Sequence, residues 1–330
     1  MQDRKKDHIN LALSSHTKSS ENDHRFYYEP LLNEHPTGLK PISFLGKTLN
    51  APIWISSMTG GTELAGKINR NLAQVAAEFG LGMGLGSCRC LLENNNCFED
   101  FNVRPIIGDD LPLYANLGVG QLEQLIASKK TELVEQMLEK LKADGLIIHV
   151  NPLQEFFQPE GDRFVVAPIE TIKKFIEITD IKVIVKEVGQ GMGKESLKEL
   201  LNLPIDAIDF GAFGGTNFSK LELMRNDNLF TKELSALKNV GHTAAEMLEF
   251  IDEITKEDKK IKPKQIIISG GVDSFLDGYY LINKSKFPAI YGQGSAFLKY
   301  ALQDYESLQK FIETQIKGLE MAYSFLRIKD

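Results

Sequence analysis

The run GLIIHVN at residues 145–151 shows the pattern that decides the fold. Its apolar residues leave no polar face, and it ends in the polar residues His149 and Asn151. The segment before it has apolar residues at spacings typical of one face of an amphipathic helix, namely Leu133, Val134, Met137, Leu138 and Leu141. A strand that is apolar on both faces and follows a helix is typical of a parallel sheet.

Seven other short apolar runs end in glycine or polar residues, and most are followed by helical periodicity. They are APIWISS (51–57), LGMGLG (81–86), LPLYANLG (111–118), KVIVKEVG (182–189), IDAIDFG (205–211), QIIISGG (265–271) and PAIYGQG (288–294). The first two flank a helical face of Leu64, Ile68, Leu72, Val75 and Phe79. Eight strands in a chain of 330 residues predict an α/β fold, a single (β/α)8 TIM barrel. An open doubly wound sheet is the alternative, because periodicity alone cannot show closure.

We expect one domain over residues 1–330, since the sequence has no internal repeat, low-complexity tract or linker. Residues 1–50 form an N-terminal extension with a short helix that carries Arg4, Lys5, Lys6 and His8. Two connections are long: residues 92–110, with a run of three asparagines at 94–96, and residues 217–243. Long loops after barrel strands usually cover or build the active site.

The net charge of −7 argues against a protein whose whole surface attracts nucleic acid or acidic lipid. No run approaches the roughly 18 to 20 apolar residues of a membrane span, and the N-terminus lacks the apolar core of a signal peptide. We therefore expect a cytoplasmic protein. Cys88, Cys90 and Cys97 match no usual zinc spacing, and we expect them to be reduced thiols packed as small hydrophobic residues.

Polar residues or glycines end nearly every predicted strand, where the active site of a parallel barrel lies. The last two strands lead into the glycine-rich turns SGGVDS (269–274) and YGQGSAF (291–297). Glycine lets the backbone approach a phosphate, and loops after strands seven and eight are the usual phosphate site in barrels. The turns therefore predict a phosphate site, with ordinary tight turns as the alternative.

Charged residues at the predicted barrel mouth suggest binding of an anion or a flavin. Lys186 follows the apolar residues VIV, so its ammonium is expected to reach a flavin ring or an anion unless it pairs with Glu187. Arg89, beside Ser87, is expected to clamp an anion, with an exposed rim position as the alternative.

The run HVNPLQEFFQ (149–158) carries a high density of polar side chains. His149 and Asn151 share one face of the strand, and Gln154 and Glu155 follow the turn at Pro152. Glu155 could bind Mg²⁺ together with phosphate oxygens, because magnesium is usually held by one or two carboxylates plus substrate. A structural role is the alternative for His149.

With these motifs, the chain resembles the type 2, FMN-dependent isopentenyl diphosphate isomerases from Arg4 to about Leu298. The motifs are RKKDH (4–8), SSMTGG (56–61), LGSCR (85–89), ANLG (115–118), HVNPLQE (149–155), VKEVGQG (185–191), GGT (214–216) and SGGV (269–272). HVNPLQE and MTGG together are specific, whereas GGT and SGG alone are weak.

The resemblance implies a set of site residues. FMN would be held by Ser57, Met58, Thr59, Gly60, Ser87, Asn116, Lys186, Thr216, Gly270, Gly271, Gly294 and Ser295. The substrate diphosphate would be contacted by Arg4, Lys5, His8, Ser87, Arg89, His149, Asn151 and Gln154, with Mg²⁺ on Glu155. The residues implied for catalysis are Gln154, His149 and Lys186.

The family interconverts isopentenyl and dimethylallyl diphosphate in isoprenoid biosynthesis. It uses reduced FMN as acid and base and takes reducing equivalents from NAD(P)H, and the resemblance implies a homo-oligomer, a tetramer or an octamer. Two segments depart from the family. Phe213 and Phe218 replace an arginine and a tryptophan around GGT, and FLDGYYLINKSKF follows strand seven where small residues are usual.

Two other functions compete with the isomerase. An FMN-dependent oxidoreductase of the 2-hydroxy acid oxidase type shares the barrel and phosphate site, but it needs a base histidine after strand six, where this chain has FGAFGG. A non-catalytic module that binds flavin or phosphate predicts flavin binding without turnover.

Overall fold

The computed structural model describes residues 2–93, 96–225 and 233–329. The N-terminal extension contains helix α1 (Gln2–Leu11), strand β1 (Phe26–Tyr28) and an antiparallel hairpin of β2 (Ile42–Phe44) and β3 (Lys47–Leu49). Strand β1 pairs antiparallel with residues 326–328, which ties the extension to the end of the chain. The predicted basic residues lie on α1 with exposed side chains, namely Arg4, Lys5, Lys6 and His8.

Eight parallel strands close into a barrel, as predicted, and each predicted apolar run contains one of them. They are β4 (Ile53–Ile55), β5 (Gly82–Gly84), β6 (Leu113–Gly118), β7 (Gly145–Val150), β8 (Val183–Glu187), β9 (Ala207–Asp209), β10 (Gln265–Ser269) and β11 (Ala289–Gln293). Pairing of β11 with β4 closes the barrel and excludes the open sheet. The last strand of the chain is β12 (Leu326–Ile328).

Helices connect the strands. Both predicted amphipathic helices form, but the predicted face of the first is wrong at Leu64, which is 60% exposed because the buried face begins at Ala65. The remaining helices are α2 (Glu63–Phe79), α3 (Cys90–Glu93), α4 (Phe98–Phe101), α5 (Arg104–Ile107), α6 (Val119–Ala127), α7 (Glu132–Leu141), α8 (Pro152–Phe157), α9 (Pro168–Ile178), α10 (Lys194–Asn202), α11 (Phe218–Arg225), α12 (Ala244–Glu257), α13 (Phe275–Lys284), α14 (Ser295–Ala301) and α15 (Tyr305–Phe325). Short 3-10 helices span Ser19–Glu21 and Leu234–Asn239.

The two long connections contain short helices. The first holds α3, α4 and α5, and Asn94 and Asn95 lie outside the described residues. The second holds α11 and a 3-10 helix, and residues 226–232 lie outside the described residues. Helix α13 covers the atypical segment after β10, and its N-cap Ser274 forms a capping box with Asp277. That departure from the family therefore still forms a helix.

Aromatic rings and glycines on neighbouring strands fill the barrel together. The fully buried rings of Trp54 and Tyr114 pack edge to face, with centroids 6.2 Å apart. A Cβ atom on Gly82 would lie 2.4 Å from the Trp54 ring, and one on Gly145 would lie 2.5 Å from the Tyr114 ring. Both strands thus need glycine here, since interiors are close-packed and any added carbon must displace a ring.

The prediction of three reduced cysteines is wrong for one pair, because Cys90 and Cys97 form a disulfide. Helices α3 and α4 bring their Cα atoms to 6.5 Å, which the sequence spacing does not reveal. Cys88 is a buried free thiol, and burial raises its pKa to about 12. Among the described residues, no helix is both long and apolar enough to cross a bilayer.

Candidate active site

A cavity of about 320 Å³ opens at the carboxyl ends of strands β4, β8, β9, β10 and β11. Its position matches the mouth where barrel enzymes bind their ligands. Most of the residues predicted to hold a flavin line this cavity, namely Ser57, Met58, Lys186, Thr216, Gly270, Gly271, Gly294 and Ser295. These eight predicted residues therefore lie together on the wall of one cavity.

The two glycine-rich turns form part of the cavity wall, and their backbone leaves no room for side chains. Gly270 has a φ of 85°, and a Cβ atom there would lie 2.0 Å from the carbonyl oxygen of Ala212. A Cβ atom on Gly294 would lie 2.6 Å from the Met58 sulfur. Only glycine allows this close approach, so a ligand in the cavity meets bare peptide groups of the kind that bind phosphate.

Several buried polar atoms around the cavity have no hydrogen-bond partner within the described part of the chain. They include the hydroxyl oxygens of Ser56 and Ser57 and the side-chain oxygen of Gln293. Buried polar atoms are normally paired, so this grouping at one cavity is expected where a polar ligand completes the site. Lys299, four residues after Ser295 on α14, adds a cation to the wall. The sequence analysis did not predict Lys299, although its spacing of one helical turn from Ser295 could have indicated it.

Lys186 occupies the cavity wall at the end of β8. Its ammonium donates to the backbone carbonyl of Glu187 at 2.7 Å. The Glu187 carboxylate turns away and accepts the backbone N–H groups of residues 189, 190 and 191 at 2.6–2.9 Å. The alternative of a side-chain ion pair between these neighbours is therefore not the observed arrangement, and the cation remains available to the cavity.

His149 lies beside Lys186 in the register of β7 and β8. Asn116 Oδ1 accepts a 2.7 Å hydrogen bond from His149 Nδ1, so the neutral ring carries its proton there and Nε2 is an acceptor. Burial, together with the Lys186 ammonium, lowers the pKa of His149 to about 4. Asn116 does not line the cavity and instead fixes the histidine ring.

The HVNPLQE segment forms the end of β7 and the start of α8, with Pro152 in the first turn. Asn151 Nδ2 donates to Gln154 Oε1 at 3.1 Å and to Glu155 Oε1 at 2.9 Å. The other Glu155 oxygen accepts the backbone N–H of Asp162 at 2.7 Å. The predicted substrate and metal residues of this segment are thus held as one hydrogen-bonded cluster.

Glu222 on α11 contacts the predicted catalytic residue Gln154, and sequence reasoning did not single it out. Its side chain is buried, and Oε1 accepts from Gln158 Nε2 at 2.9 Å and from Gln154 Nε2 at 3.5 Å. Arg225 Nη1 lies 3.0 Å from the same oxygen. A buried carboxylate that contacts a predicted catalytic side chain is typical of a functional site, but no local sequence motif marks it.

Asp162 is a second residue that the sequence did not single out, and it contacts the predicted residues Arg89 and Glu155. Its carboxylate accepts from Gln121 and from Gln124, the latter at 2.9 Å. Arg89 Nη1 lies 3.5 Å from the same carboxylate, while the Arg89 side chain is 49% exposed. Arg89 is therefore oriented by an acidic neighbour yet remains open to an external anion.

Other predicted residues do not line the cavity. Thr59, Gly60 and Ser87 are absent from its lining, although Gly60 and Ser87 are close to each other: a Cβ atom on Gly60 would meet the Ser87 carbonyl oxygen at 3.3 Å. Arg4, Lys5 and His8 remain on the exposed helix α1.

The two phenylalanines that depart from the family have different surroundings. Phe218 lines the cavity, whereas Phe213 forms an isolated backbone bridge with Thr243. Only one of them can therefore change the wall that a flavin meets.

Within the described ranges, no group of three or more His, Cys, Asp or Glu side chains is arranged to hold a metal ion. Any cation at Glu155 would need oxygen ligands from water or from the substrate, which is the usual arrangement for Mg²⁺.

The chain is similar in sequence, over nearly its whole length, to curated proteins. The isopentenyl-diphosphate delta-isomerase of Rickettsia rickettsii (strain Sheila Smith) is 36% identical over 339 aligned residues, which cover 99% of this chain and 95% of the relative. The isopentenyl-diphosphate delta-isomerase of Rickettsia typhi (strain Wilmington) is 36% identical over 305 aligned residues, covering 91% and 86%. No protein-family model matches the chain.

Solved structures show the same fold at low identity. A flavocytochrome b2 variant with benzoylformate has a TM-score of 0.62 and 15% identity, covering 96% of this chain and 81% of that chain. A mandelate oxidase variant with the monooxide FMN adduct has a TM-score of 0.56 and 13% identity, covering 92% and 88%. These likenesses are evidence for the barrel alone.

We expect the His149 ring to stay neutral from about pH 5 to pH 8, because its pKa is lowered to about 4. The free energy of unfolding should consequently decline as the pH falls below about 6.5, since the unfolded chain binds the proton more tightly. NMR titration of the imidazole signals, assigned with His149→Gln, measures this directly. A His149 titration midpoint near 6.5 would contradict the arrangement.

Proposed function

The chain belongs to the isopentenyl-diphosphate delta-isomerase family, and we propose that it interconverts isopentenyl and dimethylallyl diphosphate with reduced FMN and Mg²⁺. The observation that carries this proposal is the register of β7 and β8. It sets His149, which the resemblance assigns to the substrate, beside Lys186, which it assigns to the flavin. Substrate and cofactor would therefore meet at one barrel mouth.

The cavity chemistry fits FMN. The glycine turns around Gly270 and Gly294 offer bare peptide groups and would hold the phosphate, while Ser57, Met58 and Lys186 would hold the ring. The unpaired oxygens of the serines and Gln293 would gain partners from such a polar ligand. Reduced FMN supplies the acid and base for moving a double bond, and NAD(P)H is the proposed reductant.

The diphosphate would bind beside this cavity, where the protein offers local cations and amide donors despite its net charge of −7. Arg89 is half-exposed, and its ion pairs within the described part of the chain are long, at 3.5 and 3.7 Å, so an incoming anion can replace them. Asn151 and the neutral His149 supply further polar contacts. Glu155, fixed by Asn151 and Asp162, would hold Mg²⁺ with the phosphate oxygens.

Gln154 would position a proton through water near the reacting carbons, and Glu222 would orient the Gln154 amide. The amide of Gln154 lies between Asn151 and the buried carboxylate of Glu222. An amide can donate one hydrogen bond and accept another, so Gln154 would link Glu222 to water or substrate.

Substrate contacts from Arg4, Lys5 and His8 are part of the proposal and require α1 to close over the mouth. Their support is the resemblance and the net charge of −7, which makes added cations useful to a diphosphate site; α1 itself is exposed. A single domain, a cytoplasmic location and assembly as a tetramer or an octamer belong to the proposal on the sequence and the resemblance alone.

The oxidoreductase alternative has the shared barrel in its favour but lacks the histidine base. Residues 210–217, which follow β9, contain no histidine. The backbone carbonyl of His242 accepts from the Phe213 N–H, whereas the His242 ring packs edge to face on Phe250. Oxidation of a 2-hydroxy acid by the purified flavoprotein would favour this alternative.

We expect the purified protein to bind FMN and to isomerise isopentenyl diphosphate only when the flavin is reduced. Isomerisation involves no net redox change, so a single reduction should support many turnovers without continuing NAD(P)H consumption. The measurement is product formation after anaerobic photoreduction in the presence of Mg²⁺, with the oxidised enzyme as control. Full activity of the oxidised enzyme would contradict the proposal.

Glu222→Gln should lower kcat by about 100-fold and leave FMN affinity within about twofold, because the carboxylate that orients the proposed proton-relay residue Gln154 is lost while the cavity wall is unchanged. Glu160→Gln is the matched control, since Glu160 is an exposed carboxylate that follows the segment carrying Gln154. Steady-state kinetics and flavin titration of both variants provide the test. Equal kcat values for the two variants would remove Glu222 from the site.

A further inference from the structure

Asp209 is a fully buried carboxylate at the end of β9, directly behind the cavity wall. The register pairs Asp209 with Lys186 on the neighbouring strand, and its Oδ2 lies 3.9 Å from the Lys186 ammonium. Its other oxygen accepts from the Ser269 hydroxyl, which in turn accepts the Gly211 N–H at 2.9 Å. Within the described residues, Oδ2 has no hydrogen-bond partner.

Asp209 is the counter-ion of Lys186, because Glu187, the acidic residue next to Lys186 in the sequence, already has hydrogen-bond partners. The Glu187 carboxylate accepts three backbone N–H groups of the following loop. Burial raises the pKa of Asp209, and the Lys186 ammonium acts against that rise. A buried cation with no opposite charge is costly, so the pair stabilises the ammonium at the cavity wall.

We propose that Asp209 is a positioning residue that balances the charge of Lys186 at the cavity wall and so sets the reduction potential of the bound flavin. The inference rests on the proposed function, since it needs FMN in the cavity. Asp209 does not itself line the cavity, whereas Lys186 and Ser269 do. Its effect on the cofactor is therefore carried by charge and by the position of Lys186, with no direct contact.

The sign of the effect follows from the charges. A reduced flavin is richer in electrons than an oxidised one, so a nearby positive charge favours reduction. The Asp209 carboxylate offsets part of the Lys186 charge and keeps the potential lower than the ammonium alone would. Removing the carboxylate should make reduction easier, because the Lys186 charge is no longer offset while its hydrogen bond to the Glu187 carbonyl still keeps the ammonium at the wall.

The test is the midpoint potential of the FMN-loaded Asp209→Asn variant, measured by anaerobic photoreduction against a reference dye. We expect a shift to more positive values that corresponds to about a tenfold change in the ratio of reduced to oxidised flavin, or about 30 mV for a two-electron couple. Asp206→Asn is the matched control, because it removes a carboxylate three residues earlier, near the far end of the same strand. It should leave the potential unchanged.

Coupling through Lys186 is tested by adding Lys186→Gln. An isolated buried carboxyl group is neutral, so Asp209→Asn should not shift the potential further in that background. If Asp209→Asn alone fails to fold, the double variant should recover folding, because no buried charge remains unpaired. An equal shift with and without Lys186, or no recovery of folding, would overturn the inference.

The potential is measured without substrate, so it is independent of isomerase turnover. A parent protein that binds FMN but shows no change of potential in Asp209→Asn contradicts only this inference. A parent protein that binds no FMN contradicts the proposed cofactor and the inference together.

Discussion

Burial of parallel strands on both faces is the constraint on which the rest of the structure depends. Because the interior of the barrel is packed with rings such as those of Trp54 and Tyr114, polar side chains along the strands are confined to the strand ends. The carboxyl ends of the eight strands meet at one mouth. His149 at the end of β7, Lys186 on β8 and Asp209 on β9 therefore become neighbours in one row across the sheet.

The sequence was sufficient to predict all eight strands, because each is a short apolar run bounded by glycine or polar residues and each alternates with helical periodicity. The cavity residues on the glycine turns and Lys186 could also be predicted, since they end those runs. Contacts between distant segments could not be predicted from the sequence. The docking of α11 brings Glu222 to Gln154, and the strand register brings Asp209 to Lys186.

The disulfide was also beyond prediction, since it depends on how two four-residue helices fold against each other. Local pattern thus predicts where polar groups emerge from the barrel, and tertiary packing decides which of them touch. The packing matters for chemistry because it sets charge states. His149 is neutral beside a buried ammonium, and that ammonium is in turn balanced by Asp209 behind it.

A crystal structure of the protein with FMN, Mg²⁺ and isopentenyl diphosphate tests the central claim most directly, namely that flavin and diphosphate share the mouth of the barrel. The account predicts the flavin phosphate on the glycine turns at Gly270 and Gly294, the ring against Lys186, and the diphosphate with its Mg²⁺ at Asn151 and Glu155. Flavin density away from these turns, or a diphosphate bound remote from His149, would contradict it.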